Sequence, residues 1–268
     1  MNFSNVWLSV LGNILRRGEV TSPRGQDTLE VRGSRITVDM RQPVLMVRER
    51  KLSYQFMAAE AFWILSGDDT VAGIAPWNQA ISKFSDNGVE FFGAYGPKIA
   101  GQLDYVVNTL VNDPDSRQAG LTIWRENPPQ TRDVPCTIAV FFSIRGGKLH
   151  ASVFMRSSDA WLGLPYDVFN FSMLSHLVCC RLNHALNLTP TEGVTPGDLH
   201  LMMASSHLYA RDLDHVELCL APSIITPSSN PTPDIFCRNE HYLMSQLKAL
   251  RDSKPGTQER WWEDARNG

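Results

Sequence analysis

A chain of 268 residues with a formal net charge of −3 is long enough to bury a full core as one domain, and its charge balance excludes a bulk electrostatic role on nucleic acid or an acidic membrane. Its five cysteines, Cys136, Cys179, Cys180, Cys219 and Cys237, form no CxxC pair and no zinc-type His/Cys spacing, so free thiols, a reducing cytoplasmic compartment and no metal are expected. No charge-free apolar run of about 18 residues is present and the N-terminus lacks a signal-type apolar core, which argues against a membrane span and secretion.

In chain order, Val6 to Leu15 carries apolar residues at near-helical spacing and stops at Gly18, predicting a first helix closed by a glycine cap. Residues 28–38 (TLEVRGSRITV) alternate as a strand pair broken at Gly33. From Leu52 to Leu65 the chain is apolar almost throughout and reads as a buried helix, with Glu60 inside it. A carboxylate there must be paired, protonated or functional, because stripping its water without compensation is costly; the residues alone leave a structural and a catalytic role equally open.

Residues 103–112 predict a helix ending at NDPDSR, and GLTIW then reads as a strand. The proline-rich ENPPQTRDVP delivers Cys136 to the start of a second strand, CTIAVFFSI. A turn at Arg145 to Gly147 leads into a third, KLHASVFMRS, giving a meander or hairpin. Residues 168–188, long, apolar and free of Gly and Pro, predict a central helix on a sheet. After His215 the chain turns irregular (APSIITPSSNPTPD), then offers a helix over His241–Leu250 and a polar tail ending RWWEDARNG. No repeat or linker divides residues 1–268, which read as a single catalytic domain.

Taken singly, a cysteine after proline, a buried glutamate and scattered arginines are weak signals. Their order is not. VPCT, then RSSDAWLGLPYD at 156–167, then SSHLY at 205–209 resemble the thymidylate synthase superfamily, as do PRGQDTLEV near the start, AEAFWILSGDDT around Glu60 and NDPDSR at 112–117. The resemblance spans residues 6–215 in the family's order and leans toward its cytidylate 5-hydroxymethylases.

The resemblance implies an α+β fold, a mixed twisted sheet covered by helices, with the exposed sheet face forming a homodimer interface. It implies that Cys136 adds to C6 of a pyrimidine and makes C5 nucleophilic toward 5,10-methylenetetrahydrofolate, and that Glu60 orders water and moves protons. Arg24, Arg156 and Ser157 match phosphate ligands. Arg117 matches an arginine supplied by the second subunit, although Gln118 stands where the family has a second arginine. His207 and Tyr209 match the pair on the sugar 3′-hydroxyl. Asp159, Leu162, Gly163 and Tyr166 match folate contacts, and Trp77 a tryptophan that packs on the folate. Neither nucleic acid nor membrane is implied as a partner.

Asp167 stands where thymidylate synthases carry asparagine. An ionised carboxylate would set oxygen against uracil O4, whereas a carboxyl group can accept from cytosine N4 and share a proton with N3. Thr137 and Met155, in place of the synthases' histidine and glutamine, point the same way. The expected reaction is therefore hydroxymethylation of deoxycytidylate, with cytidylate open. The polar chain end EDARNG makes a poor lid against water and favours hydration over methyl formation. The alternatives are a methyl-forming enzyme acting on dCMP or dUMP, and a non-catalytic nucleotide-binding homologue. A thiol protease lacks a Cys/His/Asn context.

Overall fold

The computed structural model describes residues 2–189, 191–221 and 239–253. The Pro/Ser-rich stretch from 222, Cys237 and the polar tail ending RWWEDARNG lie outside the described residues, so the reading of that tail as a poor lid does too.

Seven strands form one mixed sheet: β1 (Glu19–Thr21), β2 (Thr28–Asp39), β3 (Gly120–Thr122), β4 (Thr137–Arg145), β5 (Lys148–Met155), β6 (Ser158–Asp159) and β7 (Thr195–Tyr209). The order is β1-β2-β7-β5-β4-β3, with β6 added beside β7. The β5–β7 and β6–β7 pairs are parallel and the others antiparallel. Among the described residues the α-helices are α1 (Phe3–Arg17), α2 (Tyr54–Leu65), α3 (Val71–Ile74), α4 (Gly96–Ala100), α5 (Leu103–Asn112), α6 (Leu164–Ala185), α7 (Leu213–Cys219) and α8 (Glu240–Arg251). None is long and apolar enough to cross a membrane.

Most of these elements follow local rules. Ser53 caps α2 through a bond from Phe56 N–H, and the β4–β5 hairpin turns on Gly146 and Gly147 at φ of 57° and 72°. Two expectations change. Gly18 does close α1, donating its N–H to Ile14, but in extended backbone (φ −64°, ψ 133°). Its missing side chain matters because a Cβ would stand 2.6 Å from the Ile14 carbonyl and 3.0 Å from Leu29 Cβ. Residues 28–38 form no broken pair either: Gly33 takes φ +64° inside one twelve-residue strand whose register against β7 is the same on both sides.

Helices α1 and α6 cover one sheet face, and α2 packs on α6 and α8. Val140, Phe142, Leu149, Ala151, Val153, Leu199, Leu201 and Met203 point into this core. The opposite face keeps large apolar groups in solvent: Ile138, Phe141 and Phe154 are 40%, 42% and 38% exposed, the two phenylalanine rings meeting edge to face.

Candidate active site

Cys136 ends the proline-rich loop one residue before β4, where a bulge between Thr137 and Ala139 re-aims the strand. The loop is clamped by Arg156, just past β5. Its Nη2 and Nε donate to the carbonyls of Val134 and Pro135 at 2.9 and 3.0 Å, and its backbone N–H to that of Cys136 at 2.9 Å. Arg156 Nη2 also lies 3.7 Å from Cys136 Sγ, and Nη1 makes no hydrogen bond among the described residues. Burial pushes the thiol above its ordinary value, the guanidinium opposes that shift, and the carboxyl groups of Asp167, Asp133 and Asp159 reinforce it.

Asp167 and Glu60 face each other from two helices. Glu60, in the middle of α2, is pushed up to about 7 by burial, against a hydrogen bond from Asn170 Nδ2 to its Oε2 at 2.8 Å. Asp167, in the first turn of α6, is pushed up to about 8 by burial, then by Glu60 and Asp159. Below about pH 8 the acid form of Asp167 is favoured, the form that can share a proton with a ring nitrogen. The cause is the apolar helix that holds it.

The anion-binding candidates gather at one end of β7. His207 lies opposite Asp159 of β6 and opposite Glu30 of β2, and its ring meets Tyr209 edge to face at 5.3 Å. Burial lowers the His207 pKa, Asp159 and Glu30 oppose this, and Arg156 and Arg24 lower it further, which brings both arginines near that imidazole. Arg24 is exposed on a turn with left-handed backbone (φ 56°). Ser157, half-buried, bridges β5 and β6.

Beside them, Asp159 Oδ1 accepts the N–H groups of Trp161 and Leu162, both at 2.9 Å, and fixes the turn into α6. Leu162 is 45% exposed, Gly163 opens the helix, and Tyr166 packs edge-on against Phe56. Arg50 lies over the Trp161 ring at 4.7 Å and next to Tyr166.

Two expected residues stand apart. Arg117 is exposed on the turn between α5 and β3, and no hydrogen bond or ion pair among the described residues ties it to the cluster. Trp77 lies beneath the Arg251 guanidinium, 4.6 Å from its ring, which also stacks on Phe62.

Two residues escaped the sequence. The Tyr95 hydroxyl accepts the Thr137 N–H at 3.2 Å, and burial, then the charges of Asp167 and Cys136, raise it well above its usual value. Asn170 is the partner of Glu60. No short pattern marks either. Thr137 and Met155, noted separately as departures from the synthases, are directly opposed across β4 and β5 and both buried, so they form one coupled change in the wall beside Cys136.

His150, Asp198 and His200 also bring ligand atoms within 4.8 Å of one another on β5 and β7, a group that could hold a metal ion, and His150 Nδ1 accepts the Asp198 N–H there.

The thymidylate synthase family pattern matches residues 5–246. The deoxyuridylate hydroxymethyltransferase of Bacillus phage SP01 is 28% identical over 234 residues, an alignment covering 78% of this chain and 57% of that protein. The chain thus spans little more than half the length of this curated relative. With a cysteine, two carboxyl groups and paired arginines converging as described, and nearly the whole chain matched, the protein belongs to the thymidylate synthase family.

Proposed function

We propose that the protein transfers a one-carbon unit from 5,10-methylenetetrahydrofolate to C5 of a cytosine nucleotide monophosphate, deoxycytidylate first and cytidylate second, and releases the 5-hydroxymethyl nucleotide. The observation that carries this reading is Asp167, a half-buried carboxylic acid beside Glu60 and the Cys136 thiol.

In this reading Arg24, Arg156 and Ser157 hold the phosphate, with the unbonded Nη1 of Arg156 available for it, and His207 and Tyr209 hold the sugar hydroxyl. Cys136 sulfur gives up its thiol proton as it adds to C6, and is expelled again after C5 has lost its own proton. A cytosine ring can accept the resulting electron density only if N3 gains a proton, and the acid form of Asp167 is placed to give it. Asparagine, which offers the same hydrogen-bond pattern, has no proton to transfer. Glu60 takes up and returns protons near C5, and Tyr95 supplies a hydroxyl beside the thiol.

The wall formed by Leu162, Gly163, Tyr166 and the half-buried Arg50 fits a flat ring bearing a carboxylate tail, and the Asp159 oxygen not held by the turn suits the donors of a pterin. The folate supplies the methylene carbon. Trp77, capped by Arg251, is the weakest member of this set.

The hydroxymethyl product is supported by the name of the phage relative. That same name favours a second reading, a uracil nucleotide as substrate: a protonated Asp167 offers one donor and one acceptor, as an amide does, and can pair with either base. The exposed Ile138, Phe141 and Phe154 support a homodimer through the open sheet face, with Arg117 reaching the neighbouring site. Free thiols and nucleotide chemistry support a cytoplasmic enzyme.

The test is a side-by-side assay of dCMP, CMP and dUMP with methylenetetrahydrofolate, products identified by mass, with Cys136→Ser as control. A 5-hydroxymethylcytosine nucleotide from wild type alone is expected. Stoichiometric dihydrofolate with a methyl product would overturn the hydroxymethyl assignment.

A further inference from the structure

Asn170 is 7% exposed, and while its Nδ2 is committed to Glu60, its Oδ1 is buried with no hydrogen-bond partner in the described chain. An orphaned buried carbonyl is costly, so its persistence beside the Glu60 carboxyl group points to a donor that arrives with a ligand. Asn170 follows Asp167 by three positions on α6, which puts both side chains on one helix face, and Glu60 lies against both.

We propose that Oδ1 of Asn170 accepts the 4-amino group of the cytosine and is the element that separates cytosine from uracil in this site. The inference rests on the cytosine reading above and supplies what Asp167 lacks. An acid at position 167 can present its donor or its acceptor to either ring edge. While Glu60 is ionised, the state its role requires, the Asn170 amide cannot turn over, because rotation would set Oδ1 against the Glu60 oxygen and break the 2.8 Å bond. Its polarity is therefore fixed. A cytosine amino group has two hydrogens, one for Asp167 and one for Asn170, whereas uracil O4 would confront an acceptor with an acceptor. Sites that read a substrate through a buried hydrogen bond discriminate by up to roughly 10⁴ against the mismatched partner.

The experiment measures kcat/KM for dCMP and dUMP in wild type, Asn170→Leu and Asn170→Ser. The ratio of the two constants does not depend on how much of a preparation is folded, so a merely structural role would leave it unmoved. Leucine keeps volume in the buried helix; serine offers a smaller, reversible hydroxyl should leucine fail to fold. The expected result is a dCMP preference in wild type that falls roughly ten- to a hundredfold in leucine and by less in serine. A wild-type dCMP preference kept within about threefold in both variants overturns this inference and leaves the cytosine reading standing. A wild type that prefers dUMP overturns that reading and this inference with it.

Discussion

Arg156 holds its guanidinium 3.7 Å from the Cys136 sulfur while two of its nitrogens bind the carbonyls of the two residues before that cysteine. One side chain thus fixes the loop and lowers the cost of forming a thiolate there. Replacing it by glutamine removes the cation that opposes burial, so the Cys136 pKa should rise further. Iodoacetamide labelling at pH 8, mapped to individual cysteines by mass spectrometry, should slow roughly three- to tenfold at Cys136 in Arg156→Gln. Unchanged labelling would mean that the guanidinium does not tune the thiol. The buried Cys179, Cys180 and Cys219 serve as internal references.

The raised carboxyl groups make stability depend on pH in a defined direction. Asp167 titrates near 3.8 in an unfolded chain and at about 8 here, so its contribution is full below the lower value and is lost as pH rises toward the higher one. Glu60 acts likewise between 4.5 and about 7. Asp167→Asn should therefore match wild type near pH 4 and exceed it at pH 8, by on the order of 3 kcal/mol after allowing for partial solvent access. Urea midpoints at the two pH values check this, and a wild type that gains stability from pH 4 to 8 relative to the variant reverses the sign.

The Arg251 guanidinium lies between the Phe62 and Trp77 rings, 4.7 and 4.6 Å from their centres, and pairs with Asp252. This packs the end of α8 on α2, the helix that carries Glu60. Arg251→Ala should lower the urea-unfolding free energy by about 1–2 kcal/mol, with Arg251→Lys recovering part of it. A loss within error of zero would make the stack incidental.

What was legible in the sequence was local. The apolar runs of α2 and α6 and the glycine turn between β4 and β5 need no distant partner to be read, and Asp159, Gly163 and Asp167 share one short string. β7 escaped notice because Pro196 and Gly197 interrupt its alternation near the start, and its pairing is with β2 and, in parallel, with β5. The short acidic α7 offers no clear period. Gly33 misled for the opposite reason: a residue that usually punctuates is absorbed into a continuous ladder. Tyr95 and Asn170 were invisible because their partners lie 42 and 110 residues away.

The two carboxyl groups should also shape the pH dependence of turnover. In the proposed mechanism Glu60 must be ionised to accept a proton, so rate falls below about 7; Asp167 must hold its proton for cytosine N3, so rate falls above about 8. The Cys136 thiol, pushed above its ordinary 9.0, stays protonated across this window, so the bell requires that its proton leave during attack and not beforehand. The expected kcat/KM profile for the cytosine nucleotide is a narrow bell between the two carboxyl values. Asp167→Asn should lose at least a hundredfold in cytosine turnover, and its residual activity should lack the alkaline fall near 8. Uracil needs no proton at N3, so the same variant should keep or gain activity on dUMP. If Asp167→Asn turned over dCMP at the wild-type rate with the alkaline limb intact, the proton would have to come from elsewhere, and the role given to this acid would fall.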